Sequence, residues 1–358
     1  MSLDKNKTAV IFLGAASFPK AKSLGANVAF SNAKDKIHSY FVEIIGVGQL
    51  NILDLFDSDD VADLQDTRIG DFIREAVKNG ITDLFIYYVG HGGFTSTNNH
   101  FYIALKNTRP ENPALSSLTI QALGATVTQT ASSLRTFVVL DCCFSGAAGT
   151  QLMADGDYGA ALQVKDFFPT KGIAILSASS AGSPALVISE RNITMFTEGL
   201  EAALRQGDPG NKNKYLSLRE IKDLTFLVIK NNNPVNAIRP EVMTPFQVEG
   251  DIADLQHFEN FGLNDTSFTA ESKVKEIHEE MSLNNFARLA ILILDFTHNF
   301  DPDDSFLAES IMICSECNEL AQERKDLPRE QYVERKKNIF QDIIQVIKKI
   351  LNAETNEQ

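Results

Sequence analysis

Four short apolar runs of strand length are the feature of this sequence that most restricts its fold. Consecutive residues within each run are apolar, a pattern typical of strands that are buried on both faces. The runs are residues 9–13, 84–89, 137–140 and 173–176. Amphipathic segments with helical spacing occupy residues 29–45, 67–79 and 195–206. The alternation predicts an α/β fold with a mostly parallel central sheet and helices on both sides.

The pattern changes to helices alone from about Asp265 onward. Residues 301–304 and 326–328 combine Asp and Pro, which cap or stop helices. They separate runs in which an apolar residue recurs every three or four positions. The runs are residues 274–281, 285–296, 306–321 and 332–351. We therefore predict a first domain at residues 1–262, a small all-α bundle of about four helices at residues 266–352, and a disordered tail at residues 353–358.

Charge and composition argue against several classes of partner. The chain carries 47 Asp and Glu against 33 Lys and Arg, a formal net charge of -14. Because phosphate affinity requires clustered basic residues, we expect no nucleic-acid partner. No stretch approaches the ~20 apolar residues of a membrane span, so we expect no membrane partner. Two of the four cysteines are adjacent, which does not suit a framework of disulfides and favours a cytoplasmic location.

Two of the apolar runs end in residues that carry chemistry. Residues 85–93 (FIYYVGHGG) place glycines around His91, and residues 137–146 (FVVLDCCFSG) end in an Asp, two cysteines and a turn of small residues. The carboxyl ends of parallel strands meet at one edge of a sheet, where a thiol can find the base that it needs. The backbone N–H groups of Gly92 and Cys143 are our candidates for binding the oxyanion of an acyl-transfer intermediate.

The motifs YVGHGG and DCCFSG resemble the Y-x-G-H-G and D-x-C-x-S-G signatures of the caspase/metacaspase superfamily of cysteine peptidases, which includes prokaryotic caspase-like proteins. His91 precedes Cys143 by 52 residues, in agreement with the ~50-residue interval of caspases. The resemblance covers residues 7–250 and reaches the segment 194–197, which is similar to the family's G-x-F-T with Thr194 in place of the glycine. It implies a caspase-like (caspase-haemoglobinase) sandwich and a cysteine endopeptidase with a Cys143/His91 dyad, without a metal or cofactor.

Two adjacent cysteines compete for the role of nucleophile. The family pattern places the nucleophile two residues after the Asp, which selects Cys143 over Cys142. Neighbouring side chains on a strand point in opposite directions, so we expect Cys142 to face the interior.

The resemblance also implies a substrate class. Metacaspases carry Asp two residues before the nucleophile, where caspases that cut after aspartate carry Gln, so Asp141 implies a pocket for Arg or Lys. The resemblance adds Ser177 to this pocket, together with Asn32, which stands where the family's early N-D-A motif has a second acid. The nearest acid is Asp35. We therefore expect a protein or peptide substrate that is cleaved after a basic residue.

Three further patterns leave alternatives open. The acidic residues 54–60 lack the ligand order and the glycine of a calcium loop, but some metacaspases need calcium, so a calcium site stays an alternative. Cys314 and Cys317 have the spacing of a metal or redox pair, but no second pair or histidine completes a set, and we expect ordinary helix packing. The segment 147–170 is long for a connection, and self-cleavage there, where Lys165 is its only basic residue, is a hypothesis.

The helical tail, in residues 327–347, resembles the effector-associated domains that prokaryotic conflict systems append to caspase-like enzymes. The resemblance implies recruitment by a sensor or adaptor protein, and an effector role in defence or programmed cell death. Three alternatives stay open. The tail can be a structural cap rather than a recruitment domain. The chain can be a catalytically silent scaffold that works through protein contacts. The enzyme can also be a peptide ligase, in which an amine rather than water resolves the acyl-enzyme.

Overall fold

The computed structural model describes most of the chain. The described residues are 3–95, 99–142, 163, 166–168, 172–178, 187–188, 191–233, 236–244, 250–264, 270–301, 305–323 and 327–356. The chain divides into two compact units. Unit 1 consists of Met1–Gly207 and Lys214–Asn260, and unit 2 of Asp208–Asn213 and Phe261–Gln358. Residues 208–213 fall in unit 2 although the sequence placed them in the first domain, because Gly262 packs closely against the backbone of Asp208 and Pro209.

Strands alternate with helices along unit 1. The strands are β1 (Thr8–Gly14), β2 (Ile52–Asp54), β3 (Asp83–Val89), β4 (Gly92–Phe94), β5 (Phe101–Ile103), β6 (Leu118–Thr119), β7 (Arg135–Asp141), β8 (Ile173–Ser177), β9 (Val187–Ile188), β10 (Ile193–Thr194), β11 (Tyr215–Leu216), β12 (Glu241–Met243) and β13 (Phe258–Glu259). Six of them form a central sheet in the order β12-β8-β7-β3-β1-β2. Neighbouring strands in it are parallel except β12, which runs antiparallel to β8. The predicted mostly parallel sheet is confirmed, and the four apolar runs are its strands β1, β3, β7 and β8.

The helices of unit 1 are α1 (Val28–Ser39), α2 (Ala62–Lys78), α3 (Pro113–Ser116), α4 (Ile120–Thr130), α5 (Met195–Gln206) and α6 (Leu218–Asn232). Helix α5 has the predicted bounds. Helix α1 continues as a π-helix over Tyr40–Ile45, so the predicted helix at residues 29–45 changes its hydrogen bonding near the end. Helix α2 begins at Ala62, earlier than predicted, because the one large apolar side chain of its first turn, Leu64, is exposed and adds nothing to the buried stripe.

Helices cover both faces of the central sheet, as predicted. Alternate strand residues point to opposite faces, and they join two separate clusters of buried side chains. Val10 and Phe12 belong to the first core, which they share with α1, α5 and α6. Ile11 and Leu13 belong to the second core, which they share with α2 and α4. The face on which a residue lies therefore decides which helices it can contact.

A buried ionic cluster joins the amino ends of β3 and β7, the two strands whose other ends carry the candidate site. Asp83 is 1% exposed and accepts two hydrogen bonds from Arg135, at 2.6 and 2.8 Å. His257 is also 1% exposed, and its Nε2 lies 3.0 Å from Asp83 Oδ1. Burial alone would raise the pKa of Asp83, but the hydrogen bonds from His257, Arg135 and Thr82 hold that pKa well below its ordinary value.

We expect Asp83→Ala to lower the free energy of unfolding of unit 1 by about 3 kcal/mol, because it leaves the buried His257 and the half-buried Arg135 without their carboxylate. The cost should be measured by urea denaturation. A group whose pKa is depressed in the folded state stabilises above its unfolded pKa, near 3.9, and loses that effect as the pH falls below it. The difference between wild type and Asp83→Ala should therefore shrink below about pH 4.

Asp71 provides the matched control for this prediction. Its carboxylate is also 2.6 Å from an arginine, Arg74, but the two side chains are 68% and 54% exposed. An exposed pair of this kind contributes about 0.5 kcal/mol or less, so Asp71→Ala should leave the denaturation midpoint almost unchanged. Equal losses in the two variants would contradict a stabilising role for the buried cluster.

Unit 2 contains a bundle of four helices among its described residues, as the sequence predicts. They are α7 (Ala270–Leu283), α8 (Phe286–Phe300), α9 (Leu307–Glu323) and α10 (Arg329–Asn356). The bundle has a hydrophobic core of its own, to which α8 contributes Phe286, Leu289 and Phe296 and α10 contributes Ile343 and Val346. Helix α10 extends into the segment 353–358 that we expected to be disordered, because an established helix adds each further residue at little cost.

Cys314 and Cys317 lie inside the bundle core, at 5% and 0% exposure. The Cys314 thiol donates to the Ala290 carbonyl oxygen at 2.9 Å. Burial, followed by the neighbouring Cys314, raises the pKa of Cys317 to about 12. A thiol of this kind is inert, so the prediction of ordinary helix packing is confirmed. None of the helices that the structure describes has the length and apolar composition needed to cross a membrane.

Candidate active site

The two motifs singled out in the sequence meet at one edge of the central sheet. β3 and β7 are neighbours, and their register pairs Val89 with Asp141. The Gly90 N–H donates to the Asp141 carbonyl oxygen at 3.2 Å, which joins the strand ends just before His91. The predicted meeting of the motifs is therefore confirmed for these residues. Cys143, the predicted nucleophile, lies outside the described residues.

Cys142 faces the interior, as expected. It is 1% exposed and belongs to the second core, whereas Asp141 faces the first. A side chain enclosed in this way is out of reach of a substrate.

The carbonyl oxygen of His91 is held by two donors. The Tyr88 hydroxyl donates to the His91 carbonyl oxygen at 2.7 Å and lies 3.1 Å from the Ala104 carbonyl oxygen. The Ala104 N–H donates to the His91 carbonyl oxygen at 2.8 Å. Glycine is required at position 90, since a Cβ there would lie 2.7 Å from the Tyr88 hydroxyl. The glycine before the histidine thus makes room for the tyrosine that positions it.

The imidazole ring of His91 lies between two aromatic side chains. Its centroid is 5.2 Å from that of Phe18 and 5.1 Å from that of Phe30, which meets it edge-on at 86°. Burial lowers the pKa of His91, and a hydrogen bond with the Leu24 backbone opposes this effect in part. The ring is therefore neutral near pH 7. Its Nε2 is buried and has no hydrogen-bond partner within the described part of the chain, so that nitrogen is available to accept a proton.

Gly92 begins the edge strand of a three-stranded sheet, β4-β5-β6. It lies opposite Ile103 in the antiparallel pair with β5, next to the pair in which Ala104 donates to His91. Hydrogen-bonded and non-bonded pairs alternate along an antiparallel ladder, so the Gly92 N–H points away from β5. No other described strand pairs with that edge of β4. An N–H in this position, one residue after the base, is suited to binding an oxyanion.

Asp141 ends β7 and is almost fully enclosed, at 1% exposure. Its Oδ2 accepts hydrogen bonds from the hydroxyl groups of Thr194, at 2.5 Å, and Thr197, at 2.6 Å. The Tyr87 hydroxyl lies 3.4 Å from the same oxygen. Burial raises the pKa of Asp141 to about 6, although these hydroxyl groups act in the opposite direction. Asp141 is therefore mostly ionised at pH 7 and above.

Asn32 lies near the segment that holds Asp141, but its side chain does not reach it. Asn32 is exposed, and its Nδ2 donates to the Asn192 carbonyl oxygen at 2.7 Å. Asn192 precedes β10, which ends at Thr194. The nearest acid, Asp35, is 66% exposed and lies 3.2 Å from Lys34. Neither residue adds a second buried carboxylate beside Asp141.

Ser177 lies on the other face of the sheet from Asp141. It pairs in register with Leu140, which belongs to the second core. Its hydroxyl donates to the Glu241 carbonyl oxygen at 3.4 Å. The structure thus separates Ser177 from Asp141, and it surrounds the carboxylate with Tyr87, Thr194 and Thr197 instead. The sequence contained one signal for these residues, since Thr194 stands at the N-cap position before a predicted helix.

Three carboxylates in the acidic segment 54–60 are paired with basic side chains, which compete with a cation for their oxygens. Asp54 lies 2.9 Å from Lys34, and Asp59 lies 2.8 Å from Lys106. Asp60 pairs with Arg68. Within the described residues, no group of three or more His, Cys, Asp or Glu side chains could hold a metal ion.

The solved structures that are similar to this chain include a bacterial protein and an insect caspase. Protein GSU0716 from Geobacter sulfurreducens is 17% identical with a TM-score of 0.48, and the match covers 71% of this chain and 98% of that one. The Drosophila initiator caspase Dronc is 10% identical with a TM-score of 0.44, and the match covers 74% and 86%. No protein-family model matches the chain, and no curated protein matches it. With TM-scores below 0.5, neither structure indicates a function for this chain.

Proposed function

We propose that the chain is a cysteine endopeptidase in which His91 activates Cys143 and Asp141 binds a basic residue before the cleaved bond. One observation carries the proposal. The buried, unpartnered Nε2 of a neutral His91 lies at the same sheet edge as the end of β7, one residue before the Cys142-Cys143 pair. A buried polar atom without a partner is rare in a folded protein and is expected where a reactant binds.

In the proposed reaction, His91 takes the proton of the Cys143 thiol and the thiolate attacks the carbonyl carbon of the substrate. The resulting oxyanion binds the N–H groups of Gly92 and Cys143. His91 then gives the proton to the leaving amine, which departs as the acyl-enzyme forms. A water molecule, deprotonated by His91, hydrolyses the thioester and restores the thiol.

The resemblance of the motifs, together with the α/β architecture, supports a caspase-like fold as part of this proposal. We also propose that unit 2 binds a sensor or adaptor protein and that the peptidase acts as an effector in prokaryotic defence or cell death, in the cytoplasm and without a cofactor. The separate hydrophobic core of unit 2 supports a distinct role for it.

A panel of fluorogenic peptides tests the proposal. The peptides carry Arg, Lys, Asp or Leu before the reporter and are incubated with the wild-type chain at pH 7.5, with calcium or with a chelator. We expect release from the Arg and Lys peptides only, at least about tenfold above the others, because an ionised Asp141 attracts a cation and repels an anion. Prior treatment with a thiol-alkylating reagent should abolish release.

Release that survives alkylation would rule out a cysteine peptidase. Silence of all four peptides in both conditions would favour the catalytically silent scaffold. Mass analysis of the products separates hydrolysis from ligation, because a ligase attaches the acyl group to an added amine.

A further inference from the structure

The two carboxylate oxygens of Asp141 differ in their hydrogen bonds. Oδ2 accepts hydrogen bonds from Thr194 and Thr197 and has the Tyr87 hydroxyl at 3.4 Å. Oδ1 is buried and lacks a hydrogen-bond partner among the residues that the structure describes. A buried acceptor that is left without a hydrogen bond costs free energy. Oδ1 is therefore the oxygen that gains most from a bound cation.

The hydroxyl groups that occupy Oδ2 are held in place by the start of α5. Thr194 is the N-cap residue, and its Oγ1 accepts from the Thr197 N–H at 3.2 Å, so its own hydrogen is left for Asp141. Thr197 gives its hydrogen to Asp141, so the Tyr87 hydroxyl, 2.6 Å away, donates to Thr197. All three side chains are at most 2% exposed. Oδ2 thus cannot turn toward a ligand unless these bonds break.

This asymmetry distinguishes the two basic side chains. A guanidinium binds a carboxylate best through two parallel N–H···O bonds, one to each oxygen, so arginine gains most when both oxygens are open. The ammonium of lysine is a compact charge with rotatable donors, and one oxygen is enough for it. A carboxylate with one oxygen occupied and one open suits an ammonium better than a guanidinium.

We propose that the site selects lysine over arginine before the cleaved bond, and that Thr194 and Thr197 set this preference by occupying Asp141 Oδ2. The inference rests on the proposed function, since it names the substrate of the same site. Thr194 and Thr197 are specificity-determining residues that act through Asp141.

The test compares kcat/KM for two peptides that differ only in Lys or Arg before the reporter, at pH 8, where Asp141 is ionised. We expect the wild type to favour lysine by about tenfold, the order of one charged hydrogen bond. The double variant Thr194→Gly/Thr197→Val is combined with Tyr87→Phe, because the Tyr87 hydroxyl lies 3.4 Å from Oδ2 and would donate to it once Thr197 is gone. The changes free Oδ2, glycine is tolerated at the N-cap position, and valine has about the volume of threonine. The Lys to Arg ratio of this triple variant should fall to about one or below.

Thr119→Gly is the matched control. Thr119 is the N-cap residue of α4 and accepts from the Ala122 N–H at 3.1 Å, but α4 packs on the second core, away from Asp141. This variant should keep the wild-type ratio, which separates the loss of a cap from the loss of a donor to Asp141. Thermal unfolding should show that all the variants are folded.

The outcomes separate this inference from the proposed function. A wild type that cleaves both peptides equally, or arginine faster, overturns the lysine preference and leaves the peptidase standing. The same holds for a triple variant that is folded and active with an unchanged ratio. If neither peptide is cleaved by the wild type, the proposed function fails and the inference fails with it.

Discussion

Replacing Cys143 by alanine is expected to reduce kcat by a factor of about 10⁵ or more, because it removes the atom that forms the covalent intermediate. The adjacent Cys142 offers an unusually close control. It is 1% exposed in the second core, so Cys142→Ala should keep kcat within about tenfold of wild type and cost about 1 kcal/mol of stability. Steady-state rates on the Lys peptide and thermal unfolding of both variants check these expectations.

Other activities of the two cysteine variants would contradict the assignment of Cys143 as nucleophile. An inactive Cys142→Ala and an active Cys143→Ala would make the buried cysteine the nucleophile and would contradict the family register of the DCCFSG motif. Loss of activity in both variants with intact folding would show that Cys142 supports the geometry of the strand end as well as the core.

His91→Ala is expected to lower kcat/KM by about 10² to 10⁴, the usual contribution of a positioned base. His100 is the matched control. It lies in the connection between β4 and β5. Its backbone N–H donates to Thr95 Oγ1 at 3.0 Å, and its carbonyl oxygen accepts from the Thr95 N–H at 2.9 Å. These bonds do not involve the side chain, so His100→Ala removes the ring and keeps them. That variant should remain within a few-fold of wild type. Similar losses in both histidine variants would argue against a specific role for His91.

The pH dependence of kcat/KM on the Lys peptide adds a second readout for His91. Burial lowers the pKa of His91 below its ordinary 6.5 and raises that of Asp141 to about 6. Both groups act in their deprotonated forms, so activity should rise with pH through an acid limb that lies below about pH 6.5. An acid limb well above pH 7 would mean that His91 is protonated in the resting enzyme near pH 7, and would contradict a neutral base.

The proposed site also predicts a loss of activity in acid. Asp141 is mostly protonated below about pH 6, so we expect its attraction for a basic side chain to weaken there. Protonation of His91 in acid would act against the proposed reaction as well, so we expect peptide cleavage to fall in an acidic medium.

Much of the fold was predictable because its signals are local. The runs at residues 9–13, 84–89, 137–140 and 173–176 are apolar at consecutive positions, which only strands buried on both faces require, and all four are strands of the central sheet. The predicted and observed bounds of α5 coincide at Met195–Gln206. The meeting of the two motifs followed from the same reasoning, since parallel strands deliver their carboxyl ends to one edge.

The surroundings of the site were not predictable in the same way, because they depend on contacts between residues far apart in the chain. Thr194 meets Asp141 across 53 positions, and His257 meets Asp83 across 174. No periodicity or spacing encodes such pairs. The aromatic side chains of Phe18 and Phe30 around His91 belong to the same class of contact.

The sequence by itself determined four strands of the central sheet, the bounds of α5 and the edge at which the two motifs meet. Only the tertiary structure decided which side chains share a face of the sheet. Ser177 pairs with Leu140 rather than with Asp141, and a register shift of one residue reverses every face. That register is set by the packing of whole strands and helices, so the enclosure of Asp141 by Thr194 and Thr197 emerges only when the chain is folded.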